Sequence, residues 1–223
     1  MHYSQTRDMH ISMIRDLFTV SALDKLLAQS LVSIIKVKLG EKTYQKIEDR
    51  LAERYHSSVV ESIKNFNQLD ATLREFFGPG ADALEKDFLE HLVSLDTRKK
   101  GESWVSIENQ GLARLILETY GDREKKLILD AALKKPNPVL EILEDCKIPK
   151  STGYRLINEL VTDGLLTEEG HTTTSDGKKV ALYTALFENI KIDITEGTVV
   201  IKVMLKEHIL QTSYLVKILL EQS

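Results

Sequence analysis

The chain has 223 residues, 42% hydrophobic and 29% charged, with 30 basic against 34 acidic side chains for a formal charge of −4 at pH 7. That length allows one large or two small domains, each with a sizeable core, and the composition is that of an ordinary soluble protein. The total of −4 is too small to imply an acidic tail or a polybasic membrane patch, and a single cysteine excludes an intrachain disulfide and fits a reducing interior.

The opening residues, Met1 to Asp8, lack the charged region, apolar core and cleavage site of a secretion signal. The most apolar stretch, Leu26 to Leu39, is broken by Gln29, Ser30, Lys36 and Lys38 and is too short and polar to span a bilayer. A cytoplasmic protein without a membrane partner is expected.

Residues 12 to 95 read as helices, with no strand signal between them. The first, about Asp16 to Lys38, sets Leu23, Leu26, Leu27, Leu31, Ile34 and Ile35 on one broad face. The second, about Thr43 to Tyr55, repeats Tyr44, Ile47, Leu51 and Tyr55. Ser58-Val-Val-Glu61 opens the third as a capping box, and Ile63 and Phe66 continue it. The fourth carries Leu69, Leu73, Phe76 and Phe77 and stops at Gly78-Pro-Gly80. The fifth is expected over Ala81 to Leu95, burying Leu84, Phe88 and Leu92. Gly78 and Gly80 follow a helix and lack the Gly-Lys-Ser/Thr ending of a phosphate loop, so they read as a helix stop. His56 and His91 have no further ligand at metal spacing. Residues 1 to 95 are therefore expected to form a helical bundle that senses a signal or binds a partner.

Asp96 to Ser103 is polar and glycine-bearing, the best candidate boundary. Residues 96 to 120 are read as a linker and connecting helix, with Trp104 as a docking anchor between domains and Leu112, Leu115, Ile116 and Tyr120 on the helix. Gly121-Asp122 then caps a helix from Arg123 to Lys135.

Residues 121 to 187 run helix, helix, sharp turn, helix, β-hairpin. On the second of these helices Val139, Leu140 and Leu143 are expected to face inward, with Cys146 a small core residue near its end. Pro149 suits the first turn of the third helix, where an amide hydrogen has no partner. Gly153, Leu156, Ile157 and Leu160 recur at steps of three and four, the buried stripe. Gly153, a poor helix former, has a use there: it lets the preceding helix approach closely. The opposite face carries Lys150, Ser151, Thr152, Tyr154, Arg155 and Asn158, donors and acceptors that reach phosphates and base edges. Gly164 ends the helix. The hairpin adds Thr172, Thr173, Lys178 and Lys179 for backbone contact. The segment reads as a winged helix-turn-helix, with a recognition helix about Lys150 to Asp163 for the major groove and a wing about Thr167 to Tyr183.

Ile148-Pro-Lys-Ser-Thr-Gly-Tyr-Arg and the exit Leu160 to Leu166 resemble the winged-helix transcriptional regulators of archaea and bacteria, broadly the ArsR-like and MarR-like group. The resemblance implies DNA binding and regulation of transcription. Metal-sensing members carry paired cysteines; Cys146 stands alone, so that role does not carry over, and no metal or cofactor is expected. The wing also lacks an arginine probe for the minor groove. In the bundle, Leu39-Gly, Ile47-Glu, Leu51, Phe76-Phe-Gly-Pro-Gly-Ala81 and Leu84-Glu resemble a small helical output domain of ammonia-oxidising archaea, which implies a regulatory context and brings no catalytic residue.

Beyond Tyr183, Ile190, Ile192 and Ile194 alternate with Lys191 and Asp193, Glu196-Gly197 turns, and Val199, Ile201, Val203 and Leu205 return. A final helix is expected over about Glu207 to Glu221. Residues 188 to 223 thus form a hairpin and helix with surplus apolar surface, the expected dimerisation element.

The fold expected is mainly α with a small β component. No nucleophile elbow, zinc-protease motif or phosphate loop is present, so an enzyme is not expected. The reading is a homodimeric regulator of transcription that binds double-stranded DNA, with a protein or small-molecule effector at the bundle. Against it stands the balance over residues 121 to 187, ten basic against eleven acidic side chains, where DNA-binding domains are usually basic. The alternative is a non-catalytic scaffold whose winged helix binds protein.

Overall fold

The computed structural model describes residues 22–64, 66–96, 104–196 and 198–206, with residues 209, 213, 215 and 216. It is mainly helical, with two small antiparallel sheets. No helix among the described residues is long and apolar enough to cross a membrane.

The N-terminal helices are α1 (Ala22–Leu39), α2 (Glu41–Tyr55), α3 (Val59–Lys64), α4 (Phe66–Phe77) and α5 (Ala81–Glu90). All six apolar positions expected on the face of α1 are buried. The start expected near Asp16 lies outside the described residues. The capping box of α3 forms as read: the Glu61 amide donates to Ser58 Oγ at 3.1 Å and the Ser58 amide to Glu61 Oε2 at 3.2 Å. Gly78, at φ +56°, turns the chain after α4, and Gly78–Gly80 forms a single 3₁₀ turn.

Helix α5 is shorter than its sequence suggested. It stops at Glu90, and Val93–Asp96 forms β1, paired antiparallel with β2 (Trp104–Ile107). The apolar residues of Leu92 to Leu95 fit either period, and a distant partner decided it. Asp96 stands opposite Trp104, and residues 97–103, the rest of the boundary expected from the sequence, lie outside the described residues. Trp104 is accordingly a strand residue, with the Lys191 ammonium 4.1 Å from its ring centre. Helices α6 (Gln110–Gly121) and α7 (Arg123–Lys134) follow, capped by Asn109 and Asp122, which accept from the Leu112 amide at 3.0 Å and the Lys125 amide at 2.9 Å.

Next come β3 (Asn137–Pro138), α8 (Val139–Cys146), α9 (Lys150–Thr162), β4 (Leu166–Thr173) and β5 (Lys179–Ala185). The three strands form a sheet in the order β3-β5-β4. The chain then forms the hairpin β6 (Phe187–Thr195) and β7 (Thr198–Leu205). Strand β7 pairs with β2, giving the sheet order β1-β2-β7-β6. The final helix lies outside the described residues, apart from Ile209, Ser213, Leu215 and Val216, all buried.

One continuous core runs from Ala22 to Val216. Helix α1 packs on α2, α3, α5 and α6, and two further contacts tie it to the second half of the chain. Gly164, at φ +76° after α9, lies so close to α1 that an added Cβ would sit 2.8 Å from Ala22 O and Leu26 N. Buried Ser213 donates to buried Asp24 Oδ1 at 2.6 Å. The helical bundle and the later module are therefore joined through α1.

Within that module Gly153 of α9 faces Leu143 of α8, and a Cβ there would lie 2.3 Å from Leu143 Cδ2 and 3.0 Å from Cγ. Leu143 is buried and cannot simply swing into solvent. Gly153→Ala should therefore destabilise the protein by about 1–2 kcal/mol, overpacking outweighing a helix-propensity gain of about 1 kcal/mol. Urea unfolding measures the loss, and a cycle with Leu143→Ala should show the two costs to be strongly non-additive. A Gly153→Ala variant as stable as the parent would contradict the close approach.

Candidate nucleic-acid interface

The turn between α8 and α9 is built by backbone geometry. Lys147 takes the left-handed conformation at φ 55°, the Ile148 amide donates to Leu143 O at 3.1 Å, and Ile148 buries its side chain. Pro149, expected in the first turn of α9, stands just before it as the N-cap residue and offers no side-chain cap, so the first-turn amides of Lys150, Ser151 and Thr152 lack one. The face of α9 that meets the core is the stripe read from the sequence: Gly153, Leu156, Ile157 and Leu160 are buried. Its other face presents Lys150, Ser151, Tyr154, Arg155 and Asn158 to solvent, with Thr152 half-buried at the border.

Helix α8 sits differently from its sequence reading. Ile142 and Leu143 fill the core, while Leu140 is 43% exposed. Helix α8 begins at Val139, directly after β3, and this fixes its phase: Ile142 rather than Leu140 joins Leu143 on the inner face. Cys146 is half-buried, its thiol donating to Leu127 O at 3.2 Å. Burial, then the Asp145 and Asp130 charges, pushes that thiol up, away from the reactive thiolate form.

The hairpin β4–β5 packs against α9 through β4. Thr172, Thr173, Lys178 and Lys179 are all exposed on it, Thr173 directly opposite Lys179. The tip is tightly tied: the Thr174 amide donates to Lys178 O and the Gly177 amide to Thr174 O, both at 2.9 Å, with Gly177 at φ +81°. Lys178 also pairs with Asp176 at 3.0 Å, so part of the charge at the tip is balanced locally.

Arg155 is held by an acid of its own helix. Its guanidinium pairs with Glu159, one turn along, and Glu159 also accepts from Lys125 of α7 at 3.1 Å. The Lys125 hydrogen bond, then that of Arg155, draws the Glu159 carboxyl down. One acid thus ties two of the bases nearest the exposed face of α9. The Arg155–Glu159 spacing is legible as an i,i+4 pair; the Lys125 contact needs the packing of α7 on α9.

A second cluster of titratable groups lies at the corner between α4 and α5. Asp70, Asp82 and Glu85 bring carboxylate oxygens within 4.8 Å of one another, a spacing that could hold a metal ion. Arg74 pairs with both aspartates and already supplies counter-charge there. Glu85 is only 4% exposed, and its Oε1 has no hydrogen-bond partner. Burial, then the Asp70 charge, raises its carboxyl to about 8. The native state thus holds this proton where an unfolded chain, with a carboxyl near 4.5, has released it. The resulting stabilisation is present below about pH 4.5 and is lost as pH rises to about 8. Glu85→Gln cannot ionise and should flatten this decline, read as thermal midpoints between about pH 5 and pH 9. Parallel curves for the variant and the parent would contradict the raised carboxyl.

A cleft of about 460 Å³ opens where α1 and α6 meet the end of α9, lined by Lys25, Ser33, Asn109, Leu115, Thr162 and Asp163, among others. Comparison with known proteins gives no neighbour: no family model, no curated protein and no solved structure matches this chain.

Proposed function

We propose that the chain is a non-catalytic, DNA-binding regulator of transcription, working in the cytoplasm as a homodimer, with α9 as the recognition helix of a winged helix-turn-helix and β4–β5 as its wing. The observation that carries this reading is the division of α9 into a buried stripe and an exposed face of Lys150, Ser151, Tyr154, Arg155 and Asn158. Those side chains start at the first turn of the helix, where recognition helices meet base edges. Its uncapped amides suit a phosphate oxygen. The order of helices, the sharp turn at Lys147–Pro149 and the adjoining hairpin add support.

The N-terminal bundle is proposed as the effector-binding part. Its charge, twelve basic against fourteen acidic side chains over residues 1 to 95, offers no footprint for a polyanion. The cleft beside α1 abuts Thr162 and Asp163, and α1 itself touches Gly164. A small molecule or protein held there would bear on the end of the recognition helix.

The test is fluorescence anisotropy of a labelled random-sequence duplex across a salt series. Binding should appear at low salt and weaken as salt rises, with a shallow slope of about −0.9 for each phosphate contacted. Lys150→Ala should weaken binding and reduce that slope by about one, and Arg155→Ala should weaken it severalfold. Glu159→Gln should tighten binding, because it removes a negative charge and releases Arg155 and Lys125. No binding at any salt would favour a protein-binding scaffold, for which exposed Leu127, Leu133 and Leu140 on α7 and α8 offer an apolar surface.

A further inference from the structure

Strand β6 is the outer strand of its sheet, paired among the described residues with β7 alone. Directly opposite residues share a face, so Ile190, Ile192 and Ile194 lie with Val203, Ile201 and Val199. At the base of the hairpin this apolar face is core: Ile201 and Val203 are buried, opposite Ile107 and Val105 of β2. Strand β2 ends at Ile107, however, and the hairpin continues past it. Ile192, level with Ile107, is 42% exposed, and beyond it Ile194 and Val199 are 73 and 39% exposed. A protruding apolar hairpin with an unpaired backbone edge is a template for another strand.

The order of side chains on β6 specifies which strand. Ile190-Lys191-Ile192-Asp193-Ile194 alternates apolar residues on one face with one base and one acid on the other. Laid antiparallel to an identical strand with Ile192 opposite Ile192, it sets Ile190 against Ile194, and Lys191 against Asp193 on both sides of the axis. Centring one residue earlier sets Lys191 against Lys191; one residue later sets Asp193 against Asp193. Both neighbouring registers oppose like charges, so charge selects the register centred on Ile192. The Lys191 ammonium already lies across the polar face of the sheet, over Trp104.

We infer that β6 pairs edge to edge with β6 of a second copy of this chain, about a two-fold axis at Ile192, joining the two four-stranded sheets into one. The contact is isologous and closes on itself, since each copy uses up the same edge. It buries the exposed isoleucines against one another and satisfies the free edge of β6. This deepens the homodimer part of the proposed function and is independent of whether the dimer binds DNA.

Charge exchange at Lys191 and Asp193 tests the pairing, with mass measured by light scattering across a dilution series of the intact chain. The unaltered chain should be a dimer. Lys191→Asp places acids opposite acids and Asp193→Lys places bases opposite bases; each should raise the dissociation constant about ten- to a hundredfold. The double variant Lys191→Asp/Asp193→Lys restores opposite pairing and should restore the dimer, and an equal mixture of the two single variants should form a mixed dimer. Both positions are exposed, and circular dichroism checks that each variant is folded. An unaltered chain that is monomeric at every concentration would overturn this proposal and the homodimer reading together. A dimer that both single exchanges leave intact would overturn the β6 pairing while leaving the homodimer reading in place.

Discussion

Four residues of β2 lie between β1 and β7, and this pairing ties the end of the helical bundle to the C-terminal hairpin. Trp104 to Ile107 stand opposite Met204 to Ile201, so the run from α6 to β5 leaves the sheet and the chain returns to it through β6 and β7, with β7 beside the point of departure. Such a non-local pairing carries a loop-closure cost that local helix formation does not. Val105 and Ile107 offset it by burying their side chains with Ile201 and Val203. The same pairing leaves β6 outermost among the described residues, next to an apolar hairpin tip.

With the sheet closed, α1 is caught between the two halves of the molecule. It contributes to the bundle core, meets Gly164 at the end of α9 and takes a buried hydrogen bond from Ser213. No side chain larger than that of glycine fits at position 164 without moving α1, and its positive φ disfavours one independently. A shift of α1 would therefore be felt at the end of α9. The electrostatics of the exposed face are equally local. Glu159 binds Arg155 and Lys125, so positive potential depends more on Lys150 and the hairpin lysines than a count of bases suggests.

The sequence made the helical pattern of the chain largely readable, because α-helices are written in steps of three and four. The capping box at Ser58, the cap at Asp122 and the buried stripe of α9 all arise from residues close in sequence. What escaped was set by distant partners. Val93 to Asp96 look like the end of a helix until β2 is beside them. Trp104 looks like a linker anchor until β7 and Lys191 surround it. Leu140 reads as inward-facing because the entry of the chain from β3, which fixes the phase of α8, is not legible in Asn137-Pro138 alone. Of the candidate interface, the exposed residues of α9 were legible; the hold of Lys125 on Glu159 was not.

The proposed binding of DNA by α9 and the hairpin is tested by amide hydrogen exchange on the intact chain with and without a short duplex DNA at low salt. With α9 as the recognition helix and β4–β5 as the wing, added protection is expected at the start of α9, from Lys150 to Asn158, and on the hairpin between Thr172 and Lys179. The bundle helices α2 to α5 should exchange as before. Protection confined to the bundle, or no change anywhere at duplex concentrations well above those of the protein, would contradict it.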